Sequence, residues 1–143
     1  MTSSYVLGLI DGTTRSAPAG RLLGFTLRSF DPDAMTLEAG FVAREEFTNT
    51  GGGVQGGILC AMLDCTLGAA LLGTLADGEW APTVDLHAQF HSPARVGTIL
   101  GRARVTRRGG SIAFVEGELY DEAGVVLASA TTTSMIRRAR PAG

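Results

Sequence analysis

The stretch from Gly56 to Ala76, GGILCAMLDCTLGAALLGTLA, constrains the fold more than any other part of the chain. Leu59, Ala61, Met62, Leu63, Leu67, Ala69, Ala70, Leu71 and Leu72 all favour helix. They occupy nearly every side of the helix, and a helix apolar all round is wrapped by other structure almost everywhere. Asp64, Cys65 and Thr66 interrupt the run, which argues for a helix buried in protein rather than one crossing a bilayer. The turn signal Asp77-Gly78 marks its end.

The remaining segments supply the wrapping. Ser3 to Asp11 reads as one or two helical turns ended by Gly12, and Thr13 to Gly20 as loop. Leu22 to Phe30 and Ala34 to Val42 read as two strands around the turn Asp31-Pro32-Asp33. Asn49 to Gly53 is a glycine-rich loop. After the helix come four candidate strands, Thr83 to Phe90, Gly97 to Arg107, Ile112 to Leu119 and Val125 to Ile136, expected as a meander. In the first of these, Val84, Leu86, Ala88 and Phe90 alternate with Asp85, His87, Gln89 and His91, the pattern of a one-sided strand.

Charges set a register test. If Arg102 and Arg104 share the solvent face with Glu116 and Glu118, then Arg104 faces Glu116 and Arg102 faces Glu118. That pairing implies an odd-length loop centred on Gly110. The expected architecture is α+β: an antiparallel sheet of about six strands wrapped around one long central helix. The 143 residues suit one domain, with an N-terminal helix and loop over 1–20 and a flexible tail over 137–143.

Composition removes several function classes. Twelve basic residues stand against 14 acidic ones, a net charge of −2, and nothing requires a nucleic-acid partner. All twelve cations are Arg, so Schiff-base, P-loop and pyridoxal-phosphate lysines are excluded. Cys60 and Cys65 lie five apart, about 140° around a helix, and should not bridge. With no disulfide framework, a cytoplasmic location is expected. Met1 to Gly12 lacks a basic region and a long apolar run, so no signal peptide is expected.

Chemistry concentrates between Asn49 and Asp64. Gly56 and Gly57 open the helix, where free N–H groups and the helix dipole favour an anion, and glycine allows close approach. Asp64 is the lone carboxylate of the helix; it is either satisfied by a nearby donor or kept for a task. Eight helical residues separate Gly56 from Asp64, roughly 12 Å of rise. One substrate carbonyl cannot touch both from the same helix. Either one of them acts alone, or a second subunit supplies the other.

These residues resemble a known family. Asn49, Gly51, Val54-Gln55-Gly56-Gly57 and Met62-Leu63-Asp64 look like the hotdog-fold acyl-CoA thioesterases of the phenylacetate, PaaI-like type. The likeness extends through Ile10-Asp11-Gly12, Leu22-Leu23-Gly24-Phe25, Ala81 to Leu86, Phe90 to Gly97 and Asp121 to Ala128, roughly Leu9 to Ile136. One departure is that the family's His-Gly-Gly triplet begins here with Gln55. A carboxamide cannot serve as the base that related dehydratases use.

The resemblance implies a hotdog fold and hydrolysis of an acyl-CoA thioester, with no cofactor because coenzyme A belongs to the substrate. Gly56 N–H would polarise the thioester carbonyl. Asn49 would position the thioester or water, and Asp64 of the opposite subunit would be nucleophile or general base. Thr83 would orient water beside the carboxylate; Gln55 and Gly57 would contact substrate. It also implies a homodimer with active sites at the subunit interface, paired into a dimer of dimers, with no nucleic-acid or membrane partner. Arg107-Arg108-Gly109-Gly110 is either a solvated turn or, as the family's nucleotide binding suggests, a clamp for coenzyme A phosphates formed by Arg107, Arg108 and Gly109.

Asp85, His87 and His91 share a strand face, read as solvated rather than as a metal site. Arg137-Arg138-Ala139-Arg140-Pro141 reads as a frayed basic tail, and Cys60 and Cys65 as packing residues. A non-catalytic acyl-CoA or acyl-carrier binding module and an acyl-thioester dehydratase are the competing functions. Asn49, Gly56, Asp64 and Thr83 together favour the enzyme, and Gln55 disfavours the dehydratase.

Overall fold

A computed structural model describes residues 2–139. In chain order the elements are α1 (Ser4–Asp11), α2 (Pro18–Leu22), β1 (Thr26–Asp31), β2 (Thr36–Ala43), a 3-10 turn (Glu45–Phe47), α3 (Gly56–Leu72), β3 (Glu79–Trp80), β4 (Thr83–Phe90), β5 (Gly97–Arg108), β6 (Ile112–Tyr120), β7 (Val126–Met135) and β8 (Arg137–Arg138). Six strands form one antiparallel sheet in the order β1-β2-β5-β6-β7-β4, and β3 pairs with β8 separately. The sheet wraps α3, which is the hotdog arrangement.

Helix α3 buries Leu59, Met62, Leu63, Thr66, Leu67, Ala70 and Leu71. That is a continuous i, i+3, i+4 stripe lying on the sheet. Gly101 and Gly117 let the helix press close, since a Cβ at Gly101 would sit 2.7 Å from Thr66 Oγ1 and one at Gly117 3.0 Å from Leu67 Cδ1. The expectation of near-complete wrapping is corrected. Gly57, Asp64 and Gly68 are exposed and Cys60, Ala61 and Cys65 half-buried, so one long face of this apolar helix lies outside the sheet's cover.

The four later strands do not form a simple meander. Strand β4 pairs with β7 at the far edge, while β5 inserts beside β2. Strand β5 pairs with β2 over Gly97–Arg104 and with β6 over Leu100–Arg108, so most of its backbone is bonded on both sides. The charge register holds: Arg102 opposes Glu118 and Arg104 opposes Glu116. Arg102 Nε donates to Glu118 Oε1 at 2.6 Å and Arg104 Nη2 to Glu116 Oε1 at 2.9 Å. The extra residue is not in the loop, however. A β-bulge between Val105 and Arg107 absorbs it, and the hairpin closes with Gly109 N–H donating to Ile112 O at 2.9 Å.

The N-terminal loop is shorter than expected. Pro18 stands at the first helical position, where its fixed φ suits a helix start, so Pro18–Leu22 is helical and the following strand begins only at Thr26. The frayed-tail reading is also corrected. Arg137 and Arg138 form β8 against Trp80 and Glu79, while residues 140–143 of that expected tail lie outside the described residues.

Candidate active site

The loop before α3 is held by its own backbone. Thr48 bridges Val54, Asn49 N–H donates to Gly53 O at 2.8 Å, and Asn49 Oδ1 accepts from Gly51 N–H at 2.9 Å. Gln55 N–H is tied to Phe47 O at 2.8 Å and Val54 N–H to Ala94 O at 2.9 Å. These bonds fix the approach to the helix. They also commit the Asn49 carboxamide oxygen to the loop, leaving its amide nitrogen as the outward donor.

Gln55 is the residue before the first helical turn, and its side chain makes no capping hydrogen bond. Its carbonyl accepts from Ile58 and Leu59 N–H. The N–H groups of Gly56 and Gly57 thus begin the helix with no intrahelical acceptor, as geometry requires. They lie at the positive end of a 17-residue helix dipole. A Cβ at Gly56 would come within 3.2 Å of the Phe90 ring, whereas one at Gly57 would meet nothing within 4 Å. Glycine at 56 is therefore what lets the ring lie against the helix start.

A cleft of about 350 Å³ opens here, bounded by Asn49, Val54, Gly56, Leu59, Phe90 and the segment 91–94. A larger groove of about 670 Å³ crosses the outer face of the sheet, and four of its charged residues are matched as Arg102–Glu118 and Arg104–Glu116. It holds no helix N-terminus, whereas the smaller cleft is bounded by Gly56 at the start of α3.

The acidic half of the candidate site lies elsewhere on the helix. Thr83 Oγ1 donates to Asp64 Oδ1 at 3.1 Å, joining the start of β4 to the middle of α3. Both side chains are exposed. The structure therefore brings Asp64 to Thr83, and Asn49 to Gly56 at one cleft that Gln55 and Gly57 do not line, without joining the two groups: neither Asp64 nor Thr83 lines the cleft at Gly56. Beside Asp64, burial and then the Asp64 charge push the Cys65 thiol upward. Cys60 and Cys65 are both free and partly buried.

The Arg107-Arg108-Gly109 group divides. Arg107 is exposed, but Arg108 Nη2 binds Glu79 Oε2. Glu79 also takes Ala76 N–H at 2.9 Å and Arg138 Nε at 2.9 Å, and these partners cover it to 1% side-chain exposure. The Ala76 N–H and then the Arg138 hydrogen bond hold its carboxyl below the usual range. Sequence reading missed Glu79; its only signal was a carboxylate between a Gly turn and a Trp. His91 Nε2 lies 2.7 Å from Ser129 Oγ across the sheet, and His87 and Asp85 are exposed on β4. No helix among the described residues is long and apolar enough to cross a membrane.

A helix packed against six antiparallel strands, with its N-terminus facing a cleft, is the hotdog fold. Residues 51–128 match the Thioesterase superfamily, and the chain belongs to that family. It is 38% identical to a solved protein of Ralstonia eutropha JMP134, related to phenylacetic acid degradation and provisionally named a thioesterase; the match covers 92% of this chain and 99% of that one, with a TM-score of 0.88. The PaaI protein of the Escherichia coli phenylacetic acid degradation operon shares the fold, at TM-score 0.82 and 17% identity, over 98% and 97% of the two chains. A Saccharolobus solfataricus protein provisionally named an esterase is 34% identical over 97 residues, which is 68% of this chain and 69% of that protein.

Proposed function

We propose that the protein is an acyl-CoA thioesterase acting as a homodimer, with each active site completed across the interface. The observation that carries this reading is the separation of two half-sites along one uncovered helix face. Gly56 and Asn49 stand at its start, and Asp64 with Thr83 stands roughly 12 Å further on. Two such helices, packed antiparallel through Gly57, Ala61, Asp64 and Gly68, bring one chain's Asp64 toward the other's Gly56. The same packing covers the apolar face that the sheet leaves open.

In that arrangement the thioester carbonyl lies at the N-terminus of α3, where Gly56 N–H takes the developing negative charge. Gly57 leaves room for the substrate backbone, Gln55 contacts the acyl thioester, and the Asn49 amide nitrogen orients it. Asp64 of the other subunit attacks the carbonyl carbon or draws a proton from the attacking water, with Thr83 holding the carboxylate or the water. The carbon–sulfur bond breaks and coenzyme A leaves as the thiol; water becomes the hydroxyl of the free acid, either directly or by opening the mixed anhydride that Asp64 attack forms, which restores the carboxylate. Arg107 supports the coenzyme A phosphates; Arg108 contributes through Glu79 to the shape of the hairpin whose tip carries Gly109. Two free, half-buried thiols suit a reducing cytoplasm.

Release of free thiol from a panel of aromatic, medium-chain and long-chain acyl-CoA esters tests the activity. Mixing Asp64→Ala chains with Gly56→Pro chains tests the shared site: heterodimers regain activity that neither homodimer has. Inactivity on every ester, or no recovery in the mixture, defeats the reading.

A further inference from the structure

Alternation along β4 turns Asp85, His87 and Gln89 to the outer face of the sheet, where His87 and Gln89 line the larger groove. A strict period of two would send Thr83 the same way, off the face that carries α3. The pairing prevents this. Asp85 opposes Thr133 but Thr83 opposes Ser134, so a β-bulge at Val84 shifts the register by one residue. Ser134 belongs with Ala130 and Thr132 to the buried face of β7. Directly opposed residues project to one face. Thr83 therefore turns inward, where its hydroxyl donates to Asp64 Oδ1.

The shifted register continues beyond β4. Counting back from Thr83 opposite Ser134 reaches Trp80 opposite Arg137 and Glu79 opposite Arg138 without a further break. Pro82 O accepts Met135 N–H at 3.1 Å, and Gly78 O accepts Ala139 N–H at 3.1 Å. Residues 78–83 thus run against 134–139 as one ladder, one residue out of step with the rest of β4. Among the described residues β4 is an edge strand, with β7 as its sole partner in the sheet. Main-chain bonds alone would serve a neighbouring register as well. Glu79 makes the difference. Its carboxylate takes Arg138 Nε at 2.9 Å from the opposed residue, Ala76 N–H at 2.9 Å and the Arg108 guanidinium, and its side chain is 1% exposed. A slip of one residue would carry Glu79 to the other face and leave Arg108 and the Ala76 N–H without that acceptor.

We propose that Glu79 is a positioning residue for the reaction: by holding Arg138 it pins the register that turns Thr83 inward onto Asp64. Glu79 acts through Thr83 and touches no substrate. Its role in catalysis rests on the acyl-CoA reading above; the pinning of the register does not.

Two variants release the pin from opposite sides. Arg138→Ala removes the opposed cation from an exposed position and leaves the buried carboxylate with Arg108 and Ala76, so the protein folds; Glu79→Gln removes the charge. Each lowers kcat for acyl-CoA about threefold to tenfold and moves KM less than about twofold. In a Thr83→Val background neither lowers kcat further, because the residue through which they act is gone. Arg138→Lys keeps the cation and the parental kcat. Amide hydrogen exchange gives a reading free of activity: the Met135 amide, bonded to Pro82 O, exchanges faster in Arg138→Ala, while the amides shared by β5 and β6 keep their protection. Additive losses in the double variants, or an unchanged Met135 amide in Arg138→Ala, overturn the proposal. Faster Met135 exchange with no hydrolysis of any acyl-CoA by the parent keeps the pin and removes the hydrolase reading. Hydrolysis by the parent with unchanged kcat in both variants removes the positioning role alone.

Discussion

Gly68 gives the sharpest test of the uncovered helix face, because its replacement acts in opposite directions on the protomer and on the dimer. It lies one turn beyond Asp64 on α3, it is exposed, and a Cβ there meets nothing within 4 Å. Within one protomer, Gly68→Ala or Gly68→Leu therefore costs no packing and gains helix propensity, about 0.5–1 kcal/mol. Against an antiparallel partner helix the outcome reverses. Small residues set how closely two helices approach, and a leucine at 68 enters a two-fold interface twice. Overpacking costs roughly 1–3 kcal/mol per site, hence roughly 2–6 kcal/mol per dimer. By the usual factor of ten per 1.4 kcal/mol, dissociation becomes about 30-fold to 10⁴-fold easier. Sedimentation over a dilution series reads the dimer constant, and thermal melting of the dilute protein reads protomer stability. The expected result for Gly68→Leu is a monomer that folds well and hydrolyses nothing. An intact dimer with parental activity would refute helix-face pairing.

Asp64→Asn keeps shape but removes the nucleophile or base, so kcat falls by at least about 10³-fold while KM changes little, measured by steady-state thiol release. Thr83→Val removes the donor to Asp64 and lowers kcat about tenfold or more without unfolding, since Thr83 is exposed. Gln55→Ala and Gln55→His each change kcat/KM by about tenfold or less, because Gly56 donates through its backbone; a loss equal to that of Asp64→Asn would give Gln55 a catalytic role. The Glu79 carboxyl is held below its unfolded range, so its stabilisation is present above the unfolded value and is lost as pH falls through the folded one. Acid unfolding monitored by circular dichroism should therefore show a Glu79→Gln variant less stable than the parent at neutral pH, with the difference shrinking below about pH 4.5.

Local signals in the sequence settled the central helix, the glycine-rich approach to it and the Arg102–Glu118 and Arg104–Glu116 register. Helix propensity, glycine at a helix start and period-two charge placement each act over a few residues, so a linear reading captures them. The gap between Gly56 and Asp64 was legible for the same reason, since helical rise is fixed. What the tertiary structure decided is long-range. Strand β4 could pair with β5 or with β7, and only the competition of whole strands for backbone partners sends it to the far edge. One unpaired residue in the β5–β6 hairpin could sit in the turn or in a bulge, and the same register results either way; the fold places it between Val105 and Arg107. Thr83 meets Asp64 across 19 residues, and Arg138 meets Glu79 across 59. No periodicity encodes such contacts, because they arise when separate elements dock on a shared core. That docking turned an expected tail into β8 and set Arg137 opposite Trp80.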